Sequence, residues 1–248
     1  MLVVPVAYTA FNDFKAGRES GYVRHLENGT DVPSEMDELA EFAGRVCYQS
    51  WDRPRPDTAT NQGYLKNILN QGHFSILEHA SVSFYVEGVS RSLLTELERH
   101  RFLSFSVISQ RFVDGSNVRF VPPPAVLDVM RVNFPDMSES ELWDEFQRQP
   151  IFEDVRRAYT AVEEGLKENH PDYLSRKEIR EAARSILPNC TEVKMVVTGN
   201  IRAWRDVIGK RYHEAADAEI REFATKVLGH LRKFAPNSLQ DIPEQPYS

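Results

Sequence analysis

The segment Arg99-His100-Arg101-Phe102-Leu103-Ser104-Phe105-Ser106-Val107-Ile108-Ser109-Gln110-Arg111 gathers three arginines, a histidine and three serines in a chain whose net charge is −7. Guanidinium forks, hydroxyls and backbone N–H groups are what a protein uses to hold an anionic, planar, hydrogen-bonding ligand such as a nucleotide. A solvated helix end accounts for a bare Arg-His-Arg triplet, since the macrodipole favours cations there. It does not account for the serines and Arg111.

Working outward, residues 90–101 have helical period with Leu93, Leu94 and Leu97 inward, and Phe102–Ile108 loses that period, as a loop or extended segment. Residues 80–88 alternate through Val82, Phe84 and Val86 as a half-buried strand closed by Gly88, and Val118, Phe120 and Val121 suggest another before Pro122-Pro123-Pro124. Residues 2–10 read as a first strand and 11–33, with Gly17, Gly21 and Gly29, as a loop. Ser34 or Asp31 caps a helix over 35–48 with Leu39, Phe42, Ala43 and Val46 on its inner face. Pro54 and Pro56 mark a loop, and a helix over 61–71 stops at Gly72. Residues 123–150 read as a polar surface excursion. Helices follow over 152–168 and 173–187, the latter with Ile179, Ala183 and Ile186 inward and Arg176, Arg180 and Arg184 as a charged stripe. Val193, Met195 and Val197 alternate as a strand, Asn200 caps a helix over 201–211, and an amphipathic helix over 216–234 closes the pattern. The expected fold is α/β (α+β), a central, largely antiparallel sheet flanked by helices. With no repeat and no clean linker, residues 1–248 are expected to form a single domain.

Composition narrows the function. Hydrophobic content of 41% with 27% charged residues is that of a soluble globular protein. The acidic balance argues against nucleic acid and anionic membranes, which call for a basic face. No apolar run approaches the roughly 20 residues of a membrane span. The N-terminus lacks a signal-peptide pattern, and the two cysteines, Cys47 and Cys190, suit reduced thiols in the cytoplasm. No metal site is expected: His73 and His79 are six apart, with no HExxH motif. No Gly-x-Gly-x-x-Gly occurs, so a dinucleotide would not sit in a Rossmann domain.

Arg99, His100, Arg101, Ser104, Ser109 and Arg111 together resemble the signature of the flavin-dependent thymidylate synthases. Gly72-His73-Phe74-Ser75-Ile76-Leu77-Glu78-His79 and Thr198-Gly199-Asn200-Ile201-Arg202-Ala203-Trp204-Arg205 resemble the family too, and the likeness runs from about Leu39 to Ala235. It implies a homotetramer with sites at subunit interfaces. The implied reaction is reductive methylation of deoxyuridine monophosphate (dUMP) to dTMP. The folate 5,10-methylenetetrahydrofolate is the implied carbon donor, and NADPH reduces bound FAD. By position, the resemblance assigns the flavin to His73, Ser75, Arg99, His100, Arg101, Val107, Asn200, Ile201, Arg202 and Asp206. It assigns the nucleotide to Glu96, Leu97, Glu98, Arg99, Val107, Ile108, Ser109, Gln110, Arg111, Arg184 and Arg211. Arg211 is the implied catalytic residue: a cation against the uracil favours ionisation of the ring N–H and so makes its carbon a nucleophile.

The chain departs from the family pattern at Ser106, Val107, Phe112 and Asp206. Val107 offers only its main chain to a ligand. Asp206 would repel an anionic cofactor unless Arg202 and Arg205 neutralise it. Cys190 lacks a supporting motif and reads as a small buried hydrophobe; Cys47 sits on a helix expected to face the core. His79 beside Glu78 reads as a support residue, and His213-Glu214 as a helix boundary. A non-catalytic nucleotide-binding protein on the same fold is the alternative, and an RNA-binding module a third reading.

Overall fold

The computed structural model describes residues 1–22, 33–52, 55–169 and 173–248. Gly29, Asp31 and Pro54, which the sequence places in a loop, a cap and a loop, lie outside them. In chain order the elements are β1 (Leu2–Tyr8), α1 (Asp13–Ser20), α2 (Glu35–Tyr48), α3 (Asn61–Gln71), β2 (Ser81–Ser90), α4 (Arg91–Leu97), β3 (Ser104–Val107), α5 (Pro124–Asn133), α6 (Glu139–Gln147), α7 (Pro150–Asn169), α8 (Arg176–Ala183), β4 (Glu192–Asn200), α9 (Ile201–Arg211) and α10 (Ala218–Phe234). The four strands form an antiparallel sheet in the order β1-β2-β4-β3, as the α/β expectation requires. The chain divides into two compact units. One comprises Met1–Leu2, Val86–Arg99 and Phe105–Val196; the other comprises Val3–Tyr85, His100–Ser104 and Val197–Ser248.

In the first unit, Ser90 caps α4 by accepting from the Leu93 N–H at 3.1 Å. The helix ends at Leu97, four residues short of the expected end, so the Arg-His-Arg triplet begins beyond it. Gly88 does not end β2. It takes φ +71°, and the strand continues to Ser90 while the Gly88 N–H donates to Glu192 at 3.1 Å.

The expected surface excursion over 123–150 is instead two helices with a core of their own. Phe120, Leu127, Met130, Leu142, Phe146 and Phe152 are buried together, with the Phe120 and Phe152 rings stacked at 4.3 Å. Pro124 starts α5, and a Ser138–Glu141 capping box starts α6. The strand expected through Val118, Phe120 and Val121 is reduced to one bridge, Phe120 to Thr191. That bridge is held by the Val121 N–H on the Cys190 carbonyl at 2.6 Å and the Glu192 N–H on the Arg119 carbonyl at 2.8 Å, while the Gln147 amide takes both backbone groups of Phe120 on the opposite edge.

Helix α8 starts after a Ser175–Glu178 capping box rather than at 173, and a 3-10 turn over Arg184–Ile186 follows it. That tighter winding rotates Ile186 outward, 39% exposed rather than inward.

In the second unit, residues 13–20 are helical where a loop was expected. Asn12 accepts from the Lys15 N–H, and Gly21 closes the helix at φ +78°. Helix α2 has the expected bounds and Ser34 cap but the opposite facing. Leu39, Phe42 and Ala43 are only half-buried and Val46 and Cys47 are exposed, whereas Asp37, Glu41 and Arg45 are buried. Partners explain the inversion. Arg45 Nε donates to Glu41 at 2.6 Å, and Asp37 accepts from the Asn237 N–H at 2.8 Å and the Ser238 N–H at 2.9 Å. Burial pushes the Asp37 carboxyl up, against those hydrogen bonds. The apolar row is covered sideways by rings instead, with Phe42 packed on Tyr22 and Trp51 at 5.3 and 5.9 Å.

Beneath α9, Trp204 is fully buried, its indole N–H donating to the Val82 carbonyl at 3.2 Å and its ring edge-on to Phe84 at 5.2 Å. A Cβ at Gly199 would lie 2.5 Å from the Leu103 side chain and 3.1 Å from the Trp204 indole nitrogen, so a larger residue would force Leu103 to shift where β4 passes the turn that follows the arginine triplet.

Candidate functional site

In the second unit, β4 ends at Asn200, whose side chain accepts from the Ala203 N–H at 2.8 Å and starts α9 as expected. The helix then presents Asp206, Lys210 and Arg211 to His100, a residue only 7% exposed. His100 Nδ1 lies 3.2 Å from Asp206 Oδ2, Arg211 Nε lies 3.1 Å from His100 Nε2, and Lys210 Nζ lies 2.6 Å from Asp206 Oδ1. Arginine has no acceptor, so it must donate to Nε2; the imidazole proton then sits on Nδ1 and points at Asp206. Burial lowers the tendency of His100 to take a second proton, outweighing its hydrogen bond to Asp206, which favours it, and the Arg211 charge adds to the lowering. Burial alone would raise the Asp206 carboxyl, but hydrogen bonds from Lys210 and His100 together hold it below the usual range.

The expected neutralisation of Asp206 by Arg202 and Arg205 is therefore corrected. Arg202 pairs with Glu78 at 2.5 Å, and Arg205 makes two 2.7 Å bonds to Asp241. Helical geometry accounts for Arg205, which is one residue back and points elsewhere; Arg202 and Lys210 are each four residues from Asp206 on its face, but Arg202 is engaged by Glu78, which leaves Lys210 as the partner.

Next to this cluster is a cavity of about 300 Å³ lined by Glu78, Phe102, Asn200, Arg202, Ala203 and Asp206. Phe102 is 80% exposed, and Arg101, His73 and Ser75 are exposed as well. Ile201 turns its side chain into the core and spends its N–H on the Ala80 carbonyl at 2.9 Å.

In the first unit, Leu97 is buried, Glu96 half-buried, and Glu98 and Arg99 exposed. Val107 is half-buried at the end of β3, and the Ile108 N–H donates to Lys194 at 2.9 Å. The Ser109 carbonyl accepts from the Phe112 and Val113 N–H groups at 3.1 and 2.9 Å, so Ser109, Gln110 and Arg111 form a tight turn. Arg111 Nε lies 2.8 Å from Glu181 but misaligned for a hydrogen bond, an electrostatic contact only. Arg184 is half-buried at the end of α8. The expected solvated stripe breaks at Arg180, whose guanidinium reaches the Phe112 carbonyl, Asp114 at 3.2 Å and Glu163 at 3.4 Å. Arg180 thus ties the turn to α7 and α8. Sequence hid it among three arginines of one spacing; Lys210 was visible only as the i+4 partner of Asp206. Cys190 is half-buried and its thiol is pushed up by burial, which makes it a poor nucleophile.

A family model described as thymidylate synthase complementing protein matches residues 30–237. The chain belongs to this family, the flavin-dependent thymidylate synthases. A probable flavin-dependent thymidylate synthase of Mycobacterium phage L5 is 53% identical over 215 residues, 86% of this chain and 84% of the phage protein. The flavin-dependent thymidylate synthases of Mycobacterium avium strain 104 and Mycolicibacterium vanbaalenii are 47% and 46% identical over 222 and 221 residues, each again 86% of this chain and 84% of the relative. The family's conserved name and the Arg-His-Arg segment thus meet in a chain whose Asp206 is neutralised locally by Lys210.

Proposed function

We propose that the protein methylates dUMP to dTMP, with 5,10-methylenetetrahydrofolate as carbon donor and NADPH as the source of reducing equivalents, through bound FAD and without a cysteine nucleophile. The observation that carries this reading is Arg211, a permanent cation at the end of α9 held by a buried, neutral histidine of the signature segment. Against a uracil ring it would stabilise the anion left by loss of the ring N–H, so that the ring carbon attacks without a thiolate.

The donor set fits a planar, anionic cofactor. In the second unit Arg101, His73, Ser75 and the Asn200 amide present donors to solvent, and Phe102 presents an exposed ring face. The Arg202–Glu78 pair is about half exposed, so little free energy holds it against an incoming phosphate. These residues, with His100, would hold the flavin. When bound, the flavin would supply the hydride chemistry, and the residues named would bind and orient it. In the first unit the Ser109–Arg111 turn, with Arg184 and the side chain of Glu96, would hold the nucleotide.

A cavity of about 300 Å³ is at the small end for a ligand site, which suits a site completed by further copies of the chain. The exposed row Val4, Val6 and Tyr8 on β1 is an apolar face that a homotetramer would cover. Among the described residues no helix is long and apolar enough to cross a membrane. The reading places the enzyme in the cytoplasm, with neither nucleic acid nor membrane as partner.

The test is the visible absorption spectrum of the purified protein with and without added FAD, followed by NADPH oxidation with and without dUMP and folate. A bound-flavin spectrum and dTMP formation are expected. A colourless protein that binds dUMP yet ignores FAD would replace this reading with the non-catalytic nucleotide binder. Within the same reading, Arg180→Met is expected to raise KM for dUMP about tenfold with kcat little changed, since it loosens the turn and leaves Arg211 in place; about 1.4 kcal/mol is at stake. Steady-state kinetics at varied dUMP check this, and an unchanged KM would remove Arg180 from the nucleotide site.

A further inference from the structure

We propose that Asp206 is a positioning residue for Arg211: by accepting the His100 Nδ1 proton it holds the imidazole in the one tautomer that gives Arg211 Nε an acceptor. The proposal rests on the catalytic reading of Arg211 given above. It departs from the expected role of Asp206 as a flavin contact.

The geometry is a chain of three side chains with its direction set at one end. The Arg211 guanidinium can only donate, so the 3.1 Å contact with His100 Nε2 requires a lone pair on that nitrogen. A neutral imidazole has one lone pair and one N–H, and the proton must then be on Nδ1. Asp206 Oδ2 stands 3.2 Å from Nδ1 and can accept it. The opposite tautomer would set the Nε2 hydrogen against the arginine N–H and an Nδ1 lone pair against a carboxylate, two repulsive contacts in place of two hydrogen bonds. Because His100 is only 7% exposed, water cannot replace either partner cheaply.

Lys210 completes the arrangement. At 2.6 Å from the other carboxylate oxygen it holds Asp206 ionised and oriented, from one turn further along α9. Asp206, Lys210 and Arg211 all belong to α9, while His100 belongs to the turn after the signature arginine, 106 residues earlier than Asp206. The chain therefore joins the signature segment to the helix that carries the catalytic cation. A histidine fixed by a carboxylate at one nitrogen and working through the other is the logic by which enzymes and metal sites orient imidazoles generally.

The experiment compares the full-length wild type with Asp206→Ala and Asp206→Asn. The first removes the acceptor; the second removes the charge but keeps an acceptor oxygen. The cofactor-independent readout is the ¹⁵N and ¹H spectrum of the His100 ring, assigned with a His100→Gln control. The wild type and Asp206→Asn are expected to show the Nδ1-protonated tautomer, and Asp206→Ala a mixture or its reverse. In kinetics, Asp206→Ala is expected to lose about tenfold to hundredfold in kcat, with Asp206→Asn restoring most of it and KM for dUMP moving little. Flavin content should be the same in all three.

An Nε2-protonated His100 in the wild type overturns the proposal, and that measurement stands even should Asp206→Ala fail to fold. So does an Asp206→Ala enzyme with the wild-type tautomer or wild-type kcat. An Asp206→Asn enzyme as impaired as Asp206→Ala, with the tautomer intact, assigns the effect to charge rather than to positioning and overturns it too. Loss of flavin from both variants with kcat per bound flavin unchanged returns Asp206 to the role of a cofactor contact. A wild type that makes no dTMP defeats the functional reading instead, and the ring spectra then still decide whether Asp206 sets the tautomer.

Discussion

Arg211→Ala is expected to keep bound flavin and lose turnover, with kcat down about 10²- to 10³-fold, the usual result of removing one preorganised group that stabilises developing charge. The cation is at the end of α9 with its Nε donated to His100. It is aimed by a buried partner rather than by solvent, so little reorganisation is needed when negative charge forms on a uracil. Arg211→Lys keeps the charge but not the planar fork or the Nε donor, and is expected to fall between wild type and alanine. The measurements are kcat at saturating dUMP and the flavin absorbance per protomer. Turnover within a few-fold of wild type in the alanine variant would sink the role assigned to Arg211.

Arg45→Ala is expected to be the most damaging single change to stability, at about 3–5 kcal/mol, the range found when one member of a buried ion pair is removed. Arg45 is 2% exposed and each arm of its guanidinium is used. Nε donates to Glu41 at 2.6 Å, Nη1 to the Ser50 carbonyl at 2.9 Å and Nη2 to the Thr58 carbonyl at 2.8 Å, with the group 4.4 Å from the centre of the Tyr64 ring. Glu41 keeps a hydrogen bond from Asn61 at 2.9 Å but loses the Arg45 guanidinium beside it. Replacing both, as Arg45→Met with Glu41→Leu, is expected to cost much less than Arg45→Ala, because no charge is stranded. Chemical denaturation of the three proteins checks both statements. A cost below about 1 kcal/mol for Arg45→Ala, the level of an exposed pair, would contradict the buried reading.

The same pair marks where sequence reading reverses. Helix α2 was legible in its bounds and its Ser34 cap, because period and capping are local. Its facing was not, because apolar spacing through Leu39, Phe42 and Val46 normally marks the buried side. Here Asp37, Glu41 and Arg45 are inside, Glu41 and Arg45 paired with each other and supported by partners far along the chain: Asn61 for Glu41, Thr58 for Arg45, Asn237 and Ser238 for Asp37. Phe120 likewise has a distant partner that spacing does not show, since Gln147, 27 residues away, takes its backbone N–H and carbonyl. The helices within 123–150 are hidden by their bounding prolines, which read as loop, whereas Pro124 starts α5 and Leu127, Met130, Leu142 and Phe146 close a core beneath both helices.

What the chain alone makes plain is what neighbours in sequence settle among themselves. The alternation of β2 and β4, the Asn200 cap of α9, the stop at Gly72 and the thirteen-residue segment with its family likeness are all of that kind. Tertiary structure alone decides who pairs with whom. Asp206 had two arginines nearby in sequence, yet it is held by Lys210 on its own helix face and by His100 106 residues away, while the arginines turn to Glu78 and Asp241. Charge pairing depends on separation in space and on burial, neither of which a linear spacing encodes, so chemistry that depends on His100 being neutral becomes visible only when the chain is folded.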